Sequence, residues 1–426
     1  VAVAAYNLMT PTTTPTPTTT PTTPTTPQVS EVLVGIVQPL SGGNALIGQQ
    51  NMLGAMFAVD EINAQGGIKS LGGAKIKLVI GDSAGDPSTA AREAERLIAV
   101  ENVVIVVGAY LSSSTKTVSE VCERYQTPCL NGDSTSSILT KRNLEWFFRA
   151  SPFDDTNLVE ITKLLKHLNT TYPGSIKTIA ILHEDTEFGT TGASIFEPLA
   201  KDAGFVIVEK IAYRSGTPSL DAEVMRLKAA NPDALWIAAY LTDGILLQKT
   251  LAKYDVKPKV VYYYGVVENP QFAAETGSLG WYVLDKSGFN WDLFEGHPKL
   301  REINSRFKEK YGIDFNDASM RNYVAMWILY HALEEAGKSA SPQNLQEFRR
   351  ALRDALLKVD IGKDVFPPWD GVKFSTTGPD LHQNIRARST IMQLMPDGKW
   401  YTVWPIEYAT KDIVFPFPSW SERPTK

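Results

Sequence analysis

From Val32 onward, short apolar runs alternate with longer stretches whose apolar positions recur every three or four residues. The first pattern predicts strands buried on both faces, the second amphipathic helices. Val32–Val37 predicts a strand, and Gly48–Ala64 a helix with Met52, Ala55, Met56 and Val59 facing inward, stopped by Gly66-Gly67. Ile76–Ile80 predicts the next strand, and Asp86-Pro87 the capped start of a helix whose inner face is Ala91, Ala94, Leu97 and Ile98. Val103–Val107, Pro128–Leu130 and Trp146–Arg149 predict strands, with a helix between the first two carried by Val118, Val121, Cys122 and Tyr125. The alternation restarts after Ser151-Pro152. It predicts a helix over Asp154–Leu168, strands at Thr178–Leu182, Phe205–Ile211, Ala234–Ala239 and Val260–Tyr264, and a loop at Tyr240–Asp243. Residues 296–358 are mostly helical in pattern. Pro396-Asp397-Gly398 reads as a hairpin turn between Ile391–Leu394 and Trp400–Val403, and Val414–Trp420 as an extended tail over a surface.

Strands alternating with helices mean βαβ units and parallel sheets. Two such runs, before and after about residue 150, predict two similar α/β lobes.

Chemistry concentrates where these strands end. The strand Val103–Val107 delivers the hydroxyl cluster Ser112, Ser113, Ser114 and Thr115 at the start of a helix, and Pro128–Leu130 delivers Asn131–Ser137 beside it. Free amides and the positive end of a helix dipole suit an anion such as a carboxylate, and open α/β sheets bind ligands at the carboxyl ends of strands. The other lobe places Phe188, Tyr240 and Gly265 at comparable strand ends. Polar anchors (Ser112–Thr115, Asp133–Thr135) opposite aromatic walls suit a small ligand enclosed between lobes.

Composition narrows the alternatives. The 426 residues carry 42 basic and 47 acidic side chains, a net charge of −5, which offers no footprint for nucleic acid. No run approaches the ~20 apolar residues that span a bilayer. Phosphate-binding, dinucleotide-binding, zinc-protease and nucleophile-elbow motifs are absent, so neither an enzyme nor a cofactor is expected. His183 beside Glu184 and Asp185 reads as a loop residue rather than a base, and Asp82 and Asp86 as turn and cap residues. Val1–Met9 is short and apolar, either the remnant of a signal or anchor segment or simply the edge of the sequence. Residues 10–27 are almost wholly Thr and Pro, a semi-rigid spacer of the kind found in O-glycosylated stalks. The stalk reading implies an extracytoplasmic protein tethered to a membrane, and Asn169-Thr170-Thr171 is an N-glycosylation sequon compatible with it. In such a compartment Cys122 and Cys129 either bridge locally or remain two small buried hydrophobes.

Three segments carry a resemblance: GIVQPLSGGNALIGQQNMLGAMFAVDEINAQGGI (Gly35–Ile68), GAYLSSST (Gly108–Thr115) and HEDTEFG (His183–Gly189). Over Glu31–Pro418 the chain resembles the type I periplasmic binding proteins of the branched-chain amino acid (Leu/Ile/Val) and amide class, the extracytoplasmic receptors of ABC importers. The resemblance implies two Rossmann-like, doubly wound lobes joined by three crossovers, with 30–149 and 286–366 in the first and 150–285 and 367–426 in the second. It also implies a monomer that closes on an amino acid or related small solute and docks to a permease. By that resemblance Ser112 and Ser113 hold a ligand carboxylate, Tyr110 and Ser134 join the site, and Thr135 contacts the head group. Tyr240 is an aromatic wall, and Ile47 falls where an aromatic meets the ligand side chain. Phe188 stands where amino-acid receptors often have Tyr, and Gly265 where leucine-type receptors have Glu. Asp133 is then expected to replace that Glu toward a ligand ammonium. A sensing receptor without transport, or an enzyme on the same scaffold, is the alternative.

Overall fold

The computed structural model describes residues 29–266, 270–363, 365, 366 and 368–423. The apolar start and the Thr/Pro stretch therefore lie outside the described residues. The chain opens with β1 (Glu31–Gln38), α1 (Ala45–Ala64), β2 (Lys75–Asp82), α2 (Pro87–Ala99), β3 (Ile105–Gly108), α3 (Ser112–Arg124), β4 (Cys129–Asn131) and β5 (Phe147–Arg149). These strands form one parallel sheet in the order β2-β1-β3-β4-β5. Next come α4 (Asp154–Thr171), β6 (Thr178–Glu184), α5 (Glu187–Asp202), β7 (Val206–Tyr213), α6 (Asp221–Ala230), β8 (Ala234–Ala238), α7 (Leu241–Lys253), β9 (Val260–Tyr264), α8 (Gln271–Thr276) and β10 (Leu284–Ser287). The chain then returns to the first lobe with α9 (Trp291–Gly296), α10 (Pro298–Tyr311), α11 (Asp317–Ala336), α12 (Leu345–Leu357) and the short β11 (Asp360–Ile361) and β12 (Val372–Lys373). It finishes on the second lobe with β13 (Thr390–Leu394) and β14 (Trp400–Trp404). The second sheet runs β14-β13-β10-β9-β8-β6-β7, parallel except for the antiparallel edge made by β13 and β14.

Every residue of β3, β8 and β9 is buried, which is why these strands read as unbroken apolar runs: helices cover both sheet faces. In the first lobe α1 packs on α11 so closely that a Cβ on Gly54 would sit 1.9 Å from the Ser319 carbonyl oxygen. Only glycine permits that backbone approach.

Several expectations need correction. Met56 is 40% exposed rather than inward-facing; its position falls on the side of α1 away from α11. Tyr240–Asp243 is not a loop, because Tyr240 is the N-cap residue and α7 begins at Leu241. His183 lies within β6, buried, its Nδ1 2.8 Å from the Glu184 carbonyl oxygen. The half-buried Asn169 of the sequon donates from its amide to the Ile176 carbonyl and accepts from the Ile176 N–H, tying the end of α4 to the approach to β6. Cys122 and Cys129 are free, buried thiols, and desolvation pushes the Cys122 thiol up, with Cys129 beside it.

The lobes are joined by three passages, at 150–153, 288–290 and 388–389. β10 stays with the second sheet through Ser287, and Trp369, Val372, Phe374 and Ala387 still pack in the first-lobe core. The last two passages thus fall later than the 285/286 and 366/367 boundaries expected. The delay has a cause. Residues 382–384 run alongside β5, with Arg149 N donating to the His382 carbonyl and Asn384 N to the Arg149 carbonyl. At the second passage Asp317 accepts from Gly288 N (2.9 Å) and Phe289 N (2.8 Å) and pairs with Arg321 at 3.0 Å, both side chains almost wholly buried.

Removing one member of a buried ion pair strands charge and amides together. Asp317→Ala is therefore expected to lower the unfolding free energy by about 3–5 kcal/mol, and Asp317→Asn by less, in urea titrations. Equal stability of Asp317→Ala and the parent protein would refute this.

Candidate functional site

The turn from β3 into α3 is locked before any ligand is considered. A Cβ on Gly108 (φ 122°) would lie 2.1 Å from the Val37 carbonyl oxygen, so glycine is required there. The Ala109 carbonyl accepts from Asn131 Nδ2 (2.8 Å), Thr115 Oγ1 (2.8 Å) and Ser134 Oγ (3.0 Å). Asn131 Oδ1 in turn accepts from Ser134 N at 2.9 Å. This web orients the start of α3. Its N-cap residue, Leu111, offers no capping side chain, so the first-turn amides keep their donors for another acceptor.

A small cavity lies between the lobes, lined by Tyr110, Ser112, Asp133, Ser134, Thr135, Phe188, Tyr240, Gly265 and Lys286. Beside it a second small chamber shares Tyr110 and Gly265 and adds Asn44, Leu46, Ile47, Leu241 and Val266. The sequence thus located most of the lining. Ile47 belongs to the apolar second chamber rather than to the polar one. Ser113 is half-buried and lines neither chamber, because one step along α3 turns its side chain away from Ser112's.

The polar residues divide by role. Thr135 Oγ1 is buried and makes no well-aligned hydrogen bond, although it lies near enough to Asp154 and Tyr264 to bias their titration. Ser112 Oγ accepts weakly from Ser136 N at 3.4 Å. Ser134 is occupied with the Ala109 and Tyr110 carbonyls, so it positions the turn. Asp133 departs furthest from expectation. Its carboxylate accepts from Asn322 Nδ2 (2.9 and 3.1 Å), Gln38 Nε2 (3.3 Å) and Asn51 Nδ2 (3.3 Å). Three first-lobe amides claim an acceptor with about four lone-pair sites, which makes Asp133 an anchor of its loop.

The second lobe supplies aromatic walls. Phe188 lies 5.1 Å from Tyr240 and 5.2 Å from Tyr264 between ring centroids, and Tyr110 lies 5.9 Å from Tyr240. Glu184 holds Phe188 in place by accepting from Thr186 N, Thr186 Oγ1 and Gly189 N at the start of α5; burial pushes its carboxyl up. Asp285 accepts from Gly265 N (3.2 Å) and Val266 N (2.7 Å), fixing the turn after β9. Lys286, buried at the end of β10, lines the cavity and sits 5.7 Å over the Tyr264 ring. Sequence reasoning missed Lys286. The rule that found Phe188, Tyr240 and Gly265, the carboxyl end of a second-lobe strand, points to it too, but only once Leu284–Ser287 is seen as a strand.

Asp82 and Asp86 serve as expected, the first accepting from Leu40 N and Ala84 N, the second capping α2 through Thr89 N. Beneath the cavity Tyr264 donates to Asp154 Oδ1 at 2.6 Å and accepts from Asn157 Nδ2 at 2.9 Å. Burial pushes Asp154 up to about 6, against the pull of Tyr264, Thr135 and Arg149.

A family model described as "Periplasmic binding protein" matches residues 31–394. Leu/Ile/Val-binding protein homolog 7 of Brucella abortus (strain 2308) is 30% identical over 398 residues, covering 91% of this chain and 94% of that protein. Homolog 8 of the same strain is 30% identical over 399 residues with the same coverage. Among solved structures, the branched-chain amino acid transporter substrate binding protein LivJ of Streptococcus pneumoniae in complex with isoleucine superposes with a TM-score of 0.73 at 20% identity, covering 91% of this chain and 100% of that one. A solute binding protein of an ABC transporter from Rhodopseudomonas palustris BisB5, in complex with 3,4-dihydroxy benzoic acid, gives 0.73 at 19% identity, covering 90% and 98%. Both share the fold.

The Asp154 carboxyl holds its proton more tightly folded than unfolded, from its ordinary 3.8 to about 6. Its stabilising contribution is thus full below about pH 4 and lost as pH rises through about 6. Relative to Asp154→Asn, the parent protein is expected to lose about 1–3 kcal/mol of stability across that window, read by urea titration at stepped pH. Parallel pH profiles would exclude the assignment.

Proposed function

The chain belongs to the periplasmic binding protein family, and on that premise we propose that it is the solute-binding receptor of an ABC importer, closing its lobes on a small carboxylate-bearing solute, an amino acid or a related organic acid. The observation that carries this reading is the small cavity between the lobes, with unclaimed helix amides and the Thr135 hydroxyl on one side and Phe188 and Tyr240 on the other. The apolar chamber beside it takes a hydrocarbon portion. Isoleucine and dihydroxybenzoic acid, the compounds held by the two structural neighbours, share only a carboxylate among their charged groups. That common group matches the α3 amides. Because first-lobe amides occupy Asp133, the reading does not rely on it for an ammonium.

Delivery to a permease, and a tether supplied by the Thr/Pro-rich residues 10–27, complete the proposal. Both fit an extracytoplasmic receptor.

The test is a thermal-shift panel of Leu, Ile, Val, other amino acids, amides, and aliphatic and aromatic carboxylates. Mass spectrometry of small molecules released from the denatured protein complements it. At least one carboxylate-bearing solute should raise the melting temperature. Thr135→Val is expected to weaken that solute about 10- to 150-fold, the cost of one lost hydrogen bond to a charged group, in isothermal titration. Stabilisation by no solute of any class would overturn the receptor reading.

A further inference from the structure

Beyond the cavity, the lobes also meet at its rim. Glu187, the first residue of α5 in the second lobe, pairs with Lys116 of α3 in the first, Oε2 to Nζ 3.0 Å. Its other oxygen accepts from Ser136 Oγ (3.4 Å) and from Thr191 Oγ1 (3.1 Å) of its own helix, and Ser136 Oγ also reaches Thr191 Oγ1 at 3.2 Å. Ser136 is fully buried and the Glu187 side chain is four-fifths buried. One carboxylate thus gathers an ammonium and a hydroxyl from the opposite lobe.

The sequence places these groups directly beside the cavity lining. Ser136 follows Thr135, Glu187 precedes Phe188, and Lys116 lies one helical turn beyond Ser112. A ligand that draws Ser112 and Thr135 toward Phe188 therefore brings Lys116 and Ser136 to Glu187 in the same movement. Parting the lobes would break the contacts of Glu187 with Lys116 and Ser136 and leave the one with Thr191 of its own helix. The energy of the contacts between lobes exists only in the closed form, so it biases the open–closed equilibrium without touching the ligand.

We propose that Glu187 is a closing latch. It is a positioning residue that sets affinity by stabilising the closed lobes through Lys116 and Ser136. The proposal rests on the receptor reading for its biological meaning, but not for its test. An exposed ion pair alone would shift the equilibrium little; a largely buried carboxylate with charge-assisted bonds to two partners does more. The closed-to-open ratio is expected to fall about three- to tenfold when the latch is broken.

The experiment uses the full chain with spin labels at Val100→Cys and Val206→Cys, exposed sites on opposite lobes; the native thiols are buried. Double electron–electron resonance gives the closed fraction, without ligand and with excess isoleucine. Glu187→Gln and Lys116→Met should each lower it, the double variant no further, and high sodium chloride should lower it in the parent protein but not in the variants. Lys116 is partly exposed, so Lys116→Met decides alone if Glu187→Gln fails to fold. Equal closed fractions in parent and variants under both conditions would overturn the latch, even if the solute panel succeeds. A fraction that falls while no solute binds would keep the latch and count against the receptor.

Discussion

A single fully buried guanidinium, that of Arg149, holds the joint between the lobes together. It donates to Gln383 Oε1 at 2.6 Å, to the Ser136 carbonyl at 2.6 Å, to the Ser134 carbonyl at 3.4 Å and to Thr140 Oγ1 at 2.9 Å, and it lies 4.8 Å over the Phe153 ring. Taking such a cation out of water is costly unless its donors are met. Desolvation brings Arg149 down to about 10, with Asp154 opposing that fall, so it is still charged at neutral pH. The groups that satisfy it are the ligand-facing loop, the strand-like segment 382–384 and the entry to α4. None of these can move independently while the guanidinium remains bonded. The cavity's geometry is thus fixed from behind, at the hinge.

The two halves of the cavity are built by different physics. The first-lobe half is a hydrogen-bond web, in which Asn131, Ser134 and Thr115 converge on the Ala109 carbonyl. The second-lobe half is ring packing, with Phe188, Tyr240 and Tyr264 stacked above Trp236. Directional bonds place donors for a charged group, whereas packed rings exclude water around it.

Much of this was legible in the sequence. Strands buried on both faces leave unbroken apolar runs, and the residues just past them were the cavity lining. Ser112 could be read because a hydroxyl cluster at a helix start is a local signal. Asp133 could not: its amide partners Gln38, Asn51 and Asn322 come from three distant segments, and no local pattern announces them. The same holds for the third passage between lobes, delayed because residues 382–384 pair with β5 first. Lys286 stayed hidden because an Asp-Lys-Ser-Gly stretch reads as a turn until its pairing with β9 and β13 is known.

The apolar chamber has a different standing from the rest of the site. Leu46, Ile47, Leu241 and Val266 wall it with apolar side chains that form no hydrogen bonds, Ile47 and Val266 among them belonging to the buried core. In the polar chamber Asp133 and Ser134 also hold up the turns they sit on, so changing either disturbs more than the lining. Substitutions in the apolar walls leave those hydrogen bonds in place, and the partly exposed Leu46 is the wall with least packing to lose. If the chamber takes part of the solute, as proposed, a change at Leu46 would alter what the site accepts without touching its hydrogen-bonded half, a short evolutionary path to a new diet for a duplicated copy of this scaffold.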